Sequence, residues 1–189
     1  MNDETSYFSV SYQLNLNIKP LPIGTELPDY EQFLNAIPES FRLAASNQNR
    51  VSDIGTSLSA LGEAGVALQR YLKAQADKLD MILTYMLSLQ DEVAARTQST
   101  HFGGSQIRFH WPTTLEVGQL VEMKIFLSDE ATAIYCYARV IDVINNEPFN
   151  IACEYALIRE EDCESLVRAS LHIQSKLLQA RANARQQHD

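Results

Sequence analysis

What this sequence is short of excludes several classes of function. No apolar run approaches the roughly 20 residues that cross a bilayer, so no membrane insertion is expected. The opening Met-Asn-Asp-Glu-Thr-Ser has neither the basic nor the apolar region of a secretion signal, which predicts a cytoplasmic protein. Positive charge is scarce: 15 Lys and Arg stand against 24 Asp and Glu, a formal charge of −9. The basic residues are scattered, and a phosphate backbone would be repelled, so no nucleic-acid partner is expected. Cysteine is confined to Cys136, Cys153 and Cys163, odd in number and without CxxC spacing, which reads as reduced thiols.

Motifs that carry chemistry are missing as well. His101, His110, His172 and His188 form no HExxH and no paired Cys/His ligand spacing. There is no GxSxG, no Walker loop and no dinucleotide glycine signature. Glu160-Glu161-Asp162 is acidic enough to suggest a metal cluster, but a solvated helix start accounts for it. The expectation is a non-enzymatic protein with no catalytic residue, metal site or cofactor.

What the chain does have is an unbroken heptad register from 51 to 93. Val51, Leu58, Gly65, Leu72, Leu79, Met86 and Val93 lie seven apart at position a. Ile54, Leu61, Leu68, Gln75, Ile82 and Leu89 follow at position d. This spacing lays an apolar seam along one side of a helix, and so long a seam needs partner helices. The spacing predicts a helix from about Ser46 to Arg96, roughly 75 Å long if continuous. Only one of the flanking residues from Gly55 to Gln90 is charged, Lys78, which widens the stripe beyond what a two-stranded coiled coil uses. Leu79 at a with Ile82 at d leans toward four strands, so a homotetramer is expected. Gln75 reads either as a polar layer that pins the register or as a tolerated interruption. Gly55, Gly62 and Gly65 permit close helix approach or mark a break near 55–65.

Around this helix the period is 2. Residues 7–18 alternate strictly, with Phe8, Val10, Tyr12, Leu14, Leu16 and Ile18 on one face, and predict a half-buried strand. A short helix over 29–37 ends at Pro38. Ser105–Trp111, Val117–Ser128, Thr132–Asn145 and Phe149–Ile158 predict four more strands, and 160–186 a terminal helix with acid at its start and arginine at its end. A lone strand at 7–18 is not stable by itself, so it should pair with the later strands in one barrel or sandwich. Tyr135, Tyr137 and Tyr155 read as half-buried strand residues or as interface anchors.

The order and spacing of Gly103-Gly104-Ser105-Gln106-Ile107-Arg108-Phe109, Val117–Leu127, Ala138–Val143, Ile151–Tyr155 and Glu160–Arg168 resemble a PilZ domain over about 99–178. With its inserted heptad helix, the chain looks like the atypical tetrameric branch of that family. The resemblance implies an α+β fold: a small six-stranded barrel, a long inserted helix forming an oligomeric coiled coil, and a C-terminal helix. The parts would be 1–45, contributing to the barrel; 46–96, the oligomerisation helix; and 97–189, the barrel and terminal helix. PilZ domains are receptors for cyclic di-GMP, through an RxxxR segment and a D/N-x-S-x-x-G segment. Here Gly104 matches the last glycine, but Ser99 and His101 stand where Asp/Asn and Ser are expected, and no RxxxR precedes them. The resemblance therefore implies a self-assembling signalling protein that works through contacts with a protein partner of unknown identity. The alternative is a cyclic di-GMP receptor with a non-standard site near Gly103, Gly104, Arg108 and Arg139. By itself the Gly103–Gly104 pair permits either close phosphate approach or an ordinary tight turn.

Overall fold

The computed structural model describes residues 9–48, 62–144 and 148–186. Seven strands occur in it: β1 (Ser9–Ser11), β2 (Asn15–Pro20), β3 (Arg96–Gly103), β4 (Gln106–Trp111), β5 (Leu120–Leu127), β6 (Thr132–Ile144) and β7 (Phe149–Leu157). Six of them close a barrel in the order β2-β5-β6-β7-β4-β3, with β3 returning to β2, and every ladder is antiparallel. Closure leaves the barrel strands no free edge. β1 lies beyond β2 on the same neighbour, β3.

The strand expected over 7–18 is thus broken in two, with Tyr7 and Phe8 outside the described residues. Ser99 of β3 causes the break. Its buried hydroxyl donates to Tyr12 O (2.7 Å) and accepts from Leu14 N (2.9 Å), replacing regular ladder bonds. β3 itself was not apparent from periodicity. Arg96-Thr97-Gln98-Ser99-Thr100 carries no apolar alternation, and the barrel accepts it through Ser99 and Phe102.

Leu16, Ile18, Phe102, Ile107, Phe109, Met123, Ile125, Ile134 and Ile151 fill the interior. Helix α4 (Glu160–Gln186) closes on it through Leu166, Ala169 and Ile173. A second cluster lies outside the barrel wall. Phe126, Ala133 and Tyr135 point outward from β5 and β6 and are covered by α1 (Tyr30–Ala36), α2 (Glu39–Gln48) and the end of α3 (Gly62–Ser88). Burial on both faces explains why β5 and the first half of β6 are almost continuously apolar. Asp29 caps α1 by accepting from Gln32 N (2.8 Å). Pro38 ends α1 by holding Ile37 extended, and its carbonyl then accepts the first bonds of α2.

The expected single helix over 46–96 is interrupted at Gly62, within the 55–65 stretch where the glycines allow a break, and stops at Ser88, short of Arg96. Gly62 has φ +68°, a left-handed backbone through which a right-handed helix does not pass, so α3 starts there. At the other end α3 stops at Ser88, a turn follows, and Val93–Ala95 form a 3-10 turn leading straight into β3.

Candidate functional site

Helix α3 has 27 residues and is about 40 Å long. Leu83 and Leu87 near its C-terminal end pack into the second cluster, Leu87 being buried there. The face carrying the heptad positions points away. Leu68, Leu72, Leu79 and Ile82 are 44–56% exposed, and nothing from the described chain covers them. Gln75 and Met86 on the same line are half-buried, and Gly65 is buried. Tyr71, Met81 and Tyr85 widen the exposed apolar surface. Half-burying four such side chains against partners would contribute about 1 kcal/mol each. Of the remaining seam residues, Leu89 and Val93 lie beyond the helix and are exposed, while Val51, Ile54, Leu58 and Leu61 fall outside the described residues, as does Gly55.

A polar joint fixes where α3 ends. Ser88 Oγ donates to Tyr85 O, and Gln90 N bonds to Leu87 O, tightening the last turn. The barrel then takes hold of the chain. Asn17, buried on β2, donates through Nδ2 to Asp91 Oδ1 (2.9 Å) and accepts from Glu92 N at 2.7 Å. Lys124 of β5 donates to Gln90 O (3.2 Å) and pairs with Glu92 (2.6 Å), and Arg96 pairs with Asp91 (2.7 Å). Burial alone would raise the Asp91 pKa. The bonds from Arg96 and Asn17 and the nearby positive charges outweigh it and hold the carboxyl below its usual range. Lys124 similarly lowers Glu92. This joint is why helical periodicity over-ran the true end: tertiary bonds override a local pattern. No sequence signal marks it, since Asn17 is one of several polar residues on an alternating strand.

The tyrosines are not a free surface. Tyr135 is buried among the helices that cover β5 and β6, and its hydroxyl bonds to that of Tyr137 (3.2 Å). Cys136 and Cys153 are buried free thiols, and burial pushes Cys153 up to about 12. Arg159 holds Glu161 (2.5 Å) and Asp162 (2.7 Å), so the acidic start of α4 is tied internally. Among the described residues no group of three metal-binding side chains occurs.

Gly103, Gly104, Arg108 and Arg139 come from the β3–β4 corner, β4 and β6. Gly103 ends β3 and Gly104 follows in the turn to β4, where a Cβ on Gly104 would collide with the Val167 side chain of α4. Cys163 Sγ donates to Gly104 O at 3.1 Å, closing the same spot. Close packing of helix on turn therefore accounts for Gly104. Arg108 is exposed on β4, and exposed Arg139 lies on β6 beside Glu154 (3.7 Å), with β7 between the two strands.

No protein-family model matches the chain, and no curated protein matches it in sequence. Solved structures do match in fold. A tetrameric PilZ-domain protein of Xanthomonas campestris, self-assembled via a helical bundle, is 14% identical with a TM-score of 0.56; the match covers 92% of this chain and 91% of that one. The Bacillus subtilis inhibitor of motility (MotI/DgrA) is 13% identical with a TM-score of 0.48 over 93% of this chain, which spans about half (53%) of that protein. The fold expected from the resemblance is present: a closed six-stranded PilZ-like barrel with one extra strand, a long inserted helix and a C-terminal helix.

Proposed function

We propose that this chain, which carries a PilZ-like fold, is a non-enzymatic self-assembling protein of bacterial second-messenger signalling that acts through protein contacts. Its assembly would be a homotetramer bundled along α3, in the cytoplasm. The observation that carries the reading is the uncovered seam of Leu68, Leu72, Leu79 and Ile82 on a helix whose other side is anchored to the barrel. Contiguous exposed apolar surface of this kind marks an interaction site. The low charge of the flanking positions favours more than two helices, because each helix then touches two neighbours. The Xanthomonas protein, described as a tetrameric PilZ domain self-assembled through helices, supports the same arrangement. Four linked copies would present each barrel surface four times, giving avidity without new contacts per copy.

Light scattering should give about four times the 21.3 kDa chain mass at micromolar concentration. Leu72→Asp and Leu79→Asp should reduce it toward one. A monomeric wild type would overturn the assembly. Titration calorimetry with cyclic di-GMP should show no micromolar binding. Binding that disappears in Arg108→Ala would replace this function with that of a nucleotide receptor.

A further inference from the structure

A groove of about 680 Å³ opens between α4, the Tyr12–Asn15 kink and the β5–β6 turn. Its floor is apolar: Leu14, Leu127, Ala169 and Ile173 are buried beneath it. Arg168, His172 and Lys176 line it from α4, four residues apart and therefore on one helix face. In a chain of net charge −9, this places three of its cationic or protonatable side chains along a single opening. Among the described residues neither Arg168 nor His172 makes an ion pair. Glu130 also lines the groove, so it is not uniformly positive. Tyr12 adds an aromatic ring that is 36% exposed.

The wall formed by the kink is built in rather than loose. Ser99 is 1% exposed, and its hydroxyl takes both Tyr12 O and Leu14 N, which holds that segment off the regular ladder. A pocket of this size, with an apolar floor and a few convergent polar groups, has the general form of a small-molecule site, for which volumes run about 300–1,000 Å³. We propose that it binds an organic anion with a flat apolar body. The carboxylate or phosphate of the ligand meets Arg168, with Lys176 adding positive charge, and the body lies over Leu14 and Ile173 beside the Tyr12 ring. Arginine suits this role because its planar fork meets two oxygens of such a group at once. The site is independent of the seam on α3.

Titration calorimetry with naphthyl phosphate tests the proposal, with naphthol and inorganic phosphate as separate arms. Naphthyl phosphate should bind once per chain, and each partial compound at least about tenfold more weakly. The double variant Arg168→Gln, Lys176→Gln should weaken naphthyl phosphate by about tenfold or more with an unchanged thermal melt, since both side chains are exposed. Leu72→Asp should leave binding intact, separating this groove from the assembly surface. Absence of binding up to millimolar probe overturns the proposal. So does equal binding of neutral naphthol, or affinity indifferent to the double variant.

Discussion

Asn17 sits on a barrel strand, yet its amide is directed at the segment that follows α3. Replacing it with Leu would leave Glu92 N and the Asp91 carboxylate short of a partner in a part-buried place. Asn17→Leu should cost about 2–3 kcal/mol in urea unfolding. Asp91 adds a pH signature. Its folded pKa is depressed, so its contribution is complete above the unfolded value of about 3.9 and is lost as pH falls through the folded value. Asp91→Asn should therefore be less stable than wild type at neutral pH, with the gap closing as pH falls through the depressed folded value. Gly104 makes a second test at this scale. Gly104→Ala should destabilise by about 1–3 kcal/mol, because the new methyl meets Val167. Adding Val167→Ala should recover most of that loss in a double-mutant cycle. Full persistence of the loss would mean that the turn backbone, not the helix above it, demands glycine.

Among the elements, periodicity served best where one environment extends over the whole segment. The terminal helix over 160–186 coincides with α4, and the four later strands lie within three residues of their expected ends, because turns and end charges bound them. It served least where two environments meet. β3 is polar for most of its length and enters the barrel by way of a buried serine, so no alternation announces it. The helical pattern ran past Ser88 because Leu89 and Val93 continue the heptad, while the bonds that end the helix come from β2 and β5, remote in sequence. The groove was likewise hidden, since its lining comes from three separated segments. The α3 anchor is testable. Leu87→Ala should cost about 2–4 kcal/mol and speed amide exchange in the last turns of α3. Gln75→Leu tests the polar layer: thermal stability of the assembly should rise while its oligomer distribution broadens, if the amides set the register. A sharper distribution would make Gln75 a mere interruption.

For the molecule as a whole, net charge and apolar association oppose each other. Each chain carries −9, so bundled copies would repel one another, and the flanking positions of the seam carry little charge to offset this. Raising salt from about 20 to 150 mM should tighten assembly, because the Debye length falls to about 8 Å and screens that repulsion. Sedimentation across that range reads the effect; weaker association at higher salt would point to ion pairs as the adhesive. The melting temperature should also rise with protein concentration.

β2 and β3 are hydrogen-bonded neighbours, Leu16 opposite Thr97, and everything from Leu21 to Ala95 departs and returns between them. The excursion is consequently a detachable cassette: its two stalks spring from adjoining staves. Swapping it for a tight hairpin bend would leave every ladder of the cask intact. The outer patch of Phe126, Ala133 and Tyr135 would be stripped bare and need polar replacements, and Asn17 and Lys124 would lose their partners on Gln90, Asp91 and Glu92. The same doorway could admit a helix of another length, so the number and spacing of heads can change without redrawing the vessel that carries them.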